Sequence, residues 1–290
     1  MKNKFLTNYY YIAILIFASF YFQSCTNDDG DDNLTDSNGY TKTVIPSNIK
    51  DLYQAIGPET SETIIVYSHG GPSEKLETED IEETQFNNYY RVYVKQAQHI
   101  NPTINANEIT FDQAIEEGTI SSEIFYKVLR HFKTEGKTVI AMSHSLGSFI
   151  IPNVLATKPN IADKVVLMAG RLDIPDIVWK GFRDGNLYSF SNGITPIKND
   201  MPSLTGSELS FTRLQAGLGK NRYTQLLDKK DLKNVIYIYG EKDEAVGALT
   251  NQEIEFLKNK GATSILIEEG DHGSMFQPNN LDNILTEIHK

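Results

Sequence analysis

Short apolar runs alternate with amphipathic stretches along most of the chain. The apolar runs are rich in Val and Ile and predict buried strands. They cover residues 64–68, 91–95, 138–143, 164–169, 235–239 and 264–267. Between them, residues 121–134 place Ile124, Val128 and Phe132 on one helical face, and further helical patterns follow Leu146, Leu249 and Leu281. This alternation predicts an α/β fold, with a mostly parallel sheet covered by helices on both faces.

The segment 171–234 interrupts this alternation of strands and helices. It separates two predicted strands by far more than the roughly dozen residues that a crossover needs. We therefore predict an insertion that forms a cap over the carboxyl edge of the sheet, where such insertions often cover active sites. Trp179, Phe182 and Phe211 either line an apolar acyl pocket there or form the core of the cap.

The N-terminus has the features of an export signal. Lys2 and Lys4 precede an apolar run at 9–22, which is too short to span a membrane and suits a secretory signal peptide. The run ends near Cys25, the only cysteine of the chain, and resembles the lipobox of bacterial lipoproteins. The resemblance implies that residues 1–25 are a signal peptide and that Cys25 carries a lipid anchor to the membrane.

Residues 26–45 are acidic and polar, which predicts a flexible tether. Acidic runs behind a lipidated cysteine resemble export signals of some Gram-negative surface lipoproteins. The expected location is therefore the cell envelope, in the outer membrane, with outward display as an open alternative. Residues 46–290 remain for the folded domain.

Composition narrows the possible partners of this domain. The 290 residues carry a formal net charge of −11, so the chain lacks the basic surface of a nucleic-acid-binding protein. A single cysteine excludes an intramolecular disulfide. Among the cations, Arg171 either faces an anionic substrate or pairs with Asp173 or Asp176.

The stretch SHSLG, residues 143–147, lies between a predicted strand and a predicted helix. A serine at such a turn, with small neighbours on both sides, is typical of a nucleophile elbow. We predict that Ser145 is the nucleophile, although a match this short also occurs by chance.

A serine hydroxyl attacks only when a base takes its proton and an acid orients that base. Enzymes with a strand–serine–helix elbow place the acid and then the histidine later in the chain, after successive strands. Asp243 and His272 each follow a predicted strand in that order. The neighbours Glu241, Glu244 and Asp271 are alternatives for the acid.

The oxyanion of the tetrahedral intermediate needs two backbone donors. The loop HGGP, residues 69–72, follows the first clear strand, and glycine lets its backbone approach a substrate closely. We predict that Gly71 and Leu146 donate their N–H groups, and that His69 is structural.

Together these motifs resemble the α/β-hydrolase superfamily from about residue 60 to the end of the chain. The resemblance implies a serine hydrolase that cleaves a small-molecule or peptide ester, thioester or amide through an acyl-enzyme. The HGGP loop also resembles that of proline iminopeptidases, but Ser73 and Leu146 depart from their pattern, which leaves the subfamily open.

The alternative function is a non-catalytic surface lipoprotein that uses the hydrolase fold as a binding module. No cofactor is implied, because the chain has no P-loop. The histidines also lack the paired spacing of metal ligands, so no metal site is expected.

Overall fold

A computed structural model of the protein describes residues 38–78, Ile81 and residues 84–290. The predicted signal peptide, Cys25 and most of the predicted tether lie outside these residues. The described part belongs to one compact unit, Leu34–Lys290.

The strands form one large sheet and a small hairpin within the described residues. Their bounds are β1 Tyr53–Ile56, β2 Thr63–Ser68, β3 Tyr90–Val94, β4 Thr138–His144, β5 Lys164–Met168, β6 Tyr188–Ser191, β7 Thr195–Lys198, β8 Val235–Gly240 and β9 Thr263–Ile267. The large sheet has seven strands in the order β1-β3-β2-β4-β5-β8-β9, and β6 pairs with β7. Strand β1 runs antiparallel to β3, whereas the other neighbours in the large sheet are parallel.

Helices connect most of these strands. Their bounds are α1 Ala97–Ile100, α2 Pro102–Ala106, α3 Phe111–Thr134, α4 Gly147–Thr157, α5 Asp176–Arg183, α6 Gly206–Gly219, α7 Tyr223–Leu226, α8 Asn251–Asn259 and α9 Pro278–Ile288, with short 3-10 helices at Ile49–Leu52, Thr84–Phe86 and Ser274–Phe276. Within the part of the chain that is described, no helix has the length and apolar character needed to cross a membrane.

The central strands are buried on both faces, as side-chain alternation along a strand requires. On β4, Val139 and Ala141 join the core beneath α3 and α4, while Ile140 and Met142 join a second core on the other face, beneath α9. The fold class expected from the sequence, a mostly parallel sheet with helices on both faces, is therefore confirmed.

The segment 171–234 contains α5, β6, β7, α6 and α7. Its hairpin is hydrogen-bonded to the loop after β8, because Phe190 N–H donates to the Glu244 carbonyl at 2.7 Å and Ala248 N–H donates to the Gly193 carbonyl at 2.8 Å. The segment thus contacts the loop that carries the predicted acid, Asp243.

The aromatic side chains of this segment pack against the body of the protein. The Trp179 indole stacks on the ring of Phe111 in α3, with centroids 6.1 Å apart and planes within 12°. Phe182 and Phe211 are partly buried against the main core. All three therefore contribute to packing of the segment.

The folded region begins earlier than the boundary expected at residue 46. Tyr40 is buried, and its hydroxyl donates to the Glu117 carboxylate of α3 at 2.5 Å. Asn101 donates to the Thr41 carbonyl at 2.6 Å. Residues 38–45 lie on the folded unit because the Tyr40 hydroxyl and the Thr43 N–H both donate to the buried Glu117 carboxylate.

Candidate active site

Ser145 lies at the sharp turn between β4 and α4. Its backbone φ of 50° is in the left-handed region that non-glycine residues rarely adopt, and its N–H donates to the Met168 carbonyl at 3.0 Å. A Cβ at Gly147 would lie 2.1 Å from the Ser68 carbonyl oxygen, so only glycine fits there. The strained serine between strand and helix has the geometry of a nucleophile elbow.

Ser143 has a different environment, although it lies only two residues away. Its side chain is fully buried in the strand, and its hydroxyl is 3.0 Å from the Ser148 hydroxyl. Ser148 in turn donates to the Met168 carbonyl at 2.8 Å. Ser143 therefore holds the elbow in place, whereas Ser145 is half-buried at its tip.

The structure brings Asp243 and His272 together. Asp243 Oδ2 lies 2.9 Å from His272 Nδ1. The other carboxylate oxygen accepts the backbone N–H groups of Ala245 and Val246 at 2.9 and 3.0 Å. Asp243 is only 1% exposed and is thus fixed by three hydrogen bonds, while the 18% exposure of the His272 side chain leaves its ring within reach of the surface.

The other carboxylates near His272 have different partners. Glu241 accepts the backbone N–H of Glu269, and Asp271 accepts the Ser274 hydroxyl at 2.7 Å. Glu244 accepts the backbone N–H of His272 at 3.3 Å, which leaves the imidazole to Asp243.

Electrostatics favour the protonated form of His272. Burial alone acts to lower its pKa, but the charge and hydrogen bond of Asp243 outweigh burial, with smaller contributions from Glu244 and Asp271. The pKa of His272 is therefore raised above its ordinary value. Such a histidine stabilises a proton once it has accepted one.

The HGGP loop lies directly beside the elbow. A Cβ built on Gly70 would be 3.1 Å from both the Ser145 Cβ and the His144 Nδ1. Gly71 has a φ of 88°, which glycine adopts without strain. No residue of the described chain accepts a hydrogen bond from the backbone N–H of Gly71 or Leu146, so both groups are available as donors.

His69 is fully buried beneath this loop, and neither of its ring nitrogens has a hydrogen-bond partner among the described residues. Burial, assisted by the neighbouring His99, lowers the pKa of His69 to about 3. It is a neutral ring that packs at 4.9 Å from the His99 ring.

Arg171 does not have either of the two roles expected of it. Instead of facing a substrate or pairing with a nearby aspartate, its guanidinium donates to Glu253 of α8 at 3.1 Å. The same carboxylate accepts the backbone N–H groups of Leu172 and Asp173. Both charged side chains are buried, so they neutralise one another and hold the start of the segment 171–234 against α8.

The residue that sequence reasoning passed over is His144. Its Nε2 lies 3.1 Å from the backbone carbonyl oxygen of His272, so the loop of the predicted base contacts the immediate neighbour of the predicted nucleophile. The only signal in the sequence was its place inside the SHSLG motif.

No family model matches the chain, and no curated protein matches its sequence. Several solved structures are similar to it in fold. A structure from the work on the metagenome-derived lipolytic enzymes LipS and LipT has a TM-score of 0.53 at 12% identity, and the match covers 81% of this chain and 97% of that one. The α/β hydrolase MGS-M2 from a Medee basin deep-sea metagenome library has a TM-score of 0.54 at 14% identity, covering 82% and 94%. The 2-hydroxy-6-oxo-6-phenylhexa-2,4-dienoate hydrolase of Rhodococcus sp. strain RHA1 has a TM-score of 0.52 at 15% identity, covering 82% and 94%.

Proposed function

From the α/β-hydrolase fold that the chain adopts, we propose that the protein is a serine hydrolase that cleaves an ester, thioester or amide through an acyl-enzyme on Ser145. The observation that carries the proposal is the 2.9 Å hydrogen bond between the buried Asp243 carboxylate and His272, in a loop that contacts the serine elbow.

In the first half-reaction the Ser145 hydroxyl oxygen forms a bond to the substrate carbonyl carbon while Nε2 of His272 accepts the hydroxyl proton. Asp243 accepts from Nδ1–H, which keeps Nε2 unprotonated before the attack and stabilises the imidazolium after it. His272 then returns the proton to the departing alcohol, thiol or amine as the bond to the acyl carbon breaks. In the second half-reaction a water molecule attacks the acyl carbon while the same histidine accepts its proton. The histidine returns that proton to the Ser145 oxygen as the bond between this oxygen and the acyl carbon breaks, which releases the acid.

The negative charge on the carbonyl oxygen develops in the tetrahedral intermediate. The Gly71 and Leu146 N–H groups are the proposed donors, because both belong to turns beside Ser145 and neither has a described acceptor. Leu146 also precedes the first turn of α4, so the positive end of that helix favours the same charge.

The competing function is a binding module that keeps the fold without turnover. Burial of a carboxylate against an imidazole is costly and adds nothing to a surface that only binds, so the Asp243–His272 pair favours catalysis.

The test is labelling by a fluorophosphonate, which reacts with an activated serine. We expect the wild-type protein to be labelled and Ser145→Ala to be unlabelled, with turnover lower by several orders of magnitude. Ser143→Ala is the matched control, because it removes a buried hydroxyl of β4 only two residues away and should still be labelled. No labelling of the folded wild-type protein would support the binding module instead, and labelling lost only in Ser143→Ala would move the nucleophile.

A further inference from the structure

The ring of His144 packs against two residues of the loop that carries the predicted base. Its centroid is 4.8 Å from the His272 ring and 4.7 Å from the Phe276 ring, the latter in an edge-to-face arrangement. Its Nε2 is 3.1 Å from the His272 carbonyl oxygen. His144 thus contacts both the side chain and the backbone of His272.

The ring also lies beside the loop that carries the proposed oxyanion donor. The Nδ1 of His144 is 3.1 Å from the position that a Cβ would occupy on Gly70, so a side chain there would crowd the ring. His144 therefore contacts the loop of the proposed base, lies next to the loop of the proposed oxyanion donor, and adjoins the proposed nucleophile in sequence.

The hydrogen bond fixes the protonation of the ring. A carbonyl oxygen only accepts, so Nε2 of His144 must carry the proton. Burial, followed by the adjacent His272, lowers the pKa of His144 to about 3, so the ring is neutral at neutral pH. A neutral ring is important here, because a second cation at this distance would repel the imidazolium that His272 becomes during attack.

We propose that His144 is a positioning residue that holds His272 in register with Ser145 through its hydrogen bond to the His272 backbone carbonyl. The inference rests on the proposed hydrolase function. Asp243 fixes the tautomer and direction of the imidazole, while His144 fixes the backbone from which the imidazole extends. Such support matters because a base displaced by about 1 Å loses about a hundredfold in rate.

The test compares His144→Phe with His144→Gln in the full-length protein. Phenylalanine keeps a ring against His272 and Phe276 but has no donor for the carbonyl, whereas a glutamine amide can donate from close to the position of Nε2. We expect kcat of His144→Phe to fall about tenfold or more with KM little changed, because alignment in the transition state is lost while substrate binding is retained. His144→Gln is expected to stay within about threefold of wild type.

His131→Phe is the matched control. The His131 ring also packs on an aromatic ring, that of Phe132 at 4.9 Å, and contacts a carboxylate, that of Glu135 at 3.3 Å, but it lies on α3 outside the site. Its kcat should equal that of wild type. Near-ultraviolet circular dichroism checks the fold of every variant, and His144→Asn, whose amide is too short to reach the carbonyl, replaces His144→Phe if the latter does not fold.

The inference is overturned if His144→Phe turns over as fast as wild type, or if His144→Gln is as slow as His144→Phe. These outcomes are distinct from failure of the proposed function. That failure would appear first in the wild-type protein, as an absence of fluorophosphonate labelling.

Discussion

Two pairs of histidines lie close to the serine elbow, and their geometry is almost the same. The rings of His144 and His272 are 4.8 Å apart at 47°, and those of His69 and His99 are 4.9 Å apart at 43°. Within each pair, both rings have lost most of their contact with water.

The pairs differ in what surrounds them. A buried carboxylate receives the Nδ1–H of His272, and the pKa of His272 is raised. No described carboxylate bonds to His69 or His99, and burial lowers their pKa values to about 3 and about 4. A buried imidazole without an anion is thus a neutral packing group, whereas the Asp243 carboxylate gives the His272 imidazole a higher affinity for a proton.

The largest expected effect is on kcat, and it comes from replacing one histidine of each pair, His272 and His69. His272→Gln should lower kcat by about six orders of magnitude, because it removes the proposed acceptor of the Ser145 proton. His69→Leu fills the same buried space and should keep kcat within about tenfold, since its ring nitrogens have no described partner. Steady-state kinetics on an ester that the wild type hydrolyses would measure both, and comparable losses in the two variants would contradict the distinction between the pairs.

Neutralising the Asp243 carboxylate should have the next largest effect on turnover. Asp243→Asn is expected to preserve the fold and reduce turnover by about four orders of magnitude, because the amide favours the wrong tautomer of His272.

The control panel for Asp243→Asn is Glu241→Gln, Glu244→Gln and Asp271→Asn, which remove carboxylates that do not bond to the His272 imidazole. Each should remain far more active than Asp243→Asn. Collapse of activity in one of these variants, with Asp243→Asn near wild type, would transfer the orienting role to that residue.

The last prediction concerns the stability of the protein in acid. In the unfolded chain His69 has its ordinary pKa of about 6.5, whereas in the folded protein its pKa is about 3. The contribution of His69 to the free energy of unfolding is therefore complete above pH 6.5 and declines, by about 1.4 kcal/mol per pH unit, as the pH falls toward 3. His69→Leu should make the pH dependence shallower by this amount.

Urea denaturation at several pH values between 7 and 4 would measure the slope. Val92→Ala is the control, because it leaves a cavity at a fully buried position and should lower stability equally at every pH. An unchanged slope in His69→Leu would mean that His69 has the same pKa in the folded and unfolded states, which would contradict the prediction. The raised pKa of His272 acts in the opposite sense, since its contribution is present below pH 6.5 and is lost as the pH rises through its folded pKa.

The sheet was predictable because its central strands are continuous apolar runs. Residues 138–143 were expected as a strand, and β4 covers Thr138–His144. The short edge strand β1 and the hairpin of β6 and β7 were missed, because a strand that is only partly buried carries little hydrophobic signal.

Helix α3 shows a second limit of prediction from the hydrophobic pattern. The helix was expected at 121–134 but begins at Phe111. Its first half buries Glu117 and Gly118, and Leu218 of α6 packs closely on that glycine, so the hydrophobic pattern does not reveal this contact face. The capping box of Thr110 and Gln113 was the local signal that remained.

The candidate site was predictable in its residue types but not in its contacts. Strand ends and chain order indicated Ser145, Asp243 and His272, which carry the proposed mechanism. Arg171 was expected to face an anionic substrate or to pair with Asp173 or Asp176, because the sequence does not reveal that its partner is Glu253, in α8. The contact of His144 with His272 likewise depends on how two distant loops meet.

Glu253 fixes the junction between the sheet-forming part of the chain and the segment 171–234. This one carboxylate belongs to α8, outside the segment 171–234, yet it bonds the first three residues of that segment, Arg171, Leu172 and Asp173, and also closes the N-terminal cap of its own helix at Thr250. The starting point of the segment is therefore fixed by the part of the chain that forms the sheet. Foreign sequences spliced in after Asp173 would inherit the same starting point, which makes this junction a natural place to exchange the segment for that of another protein with the same fold.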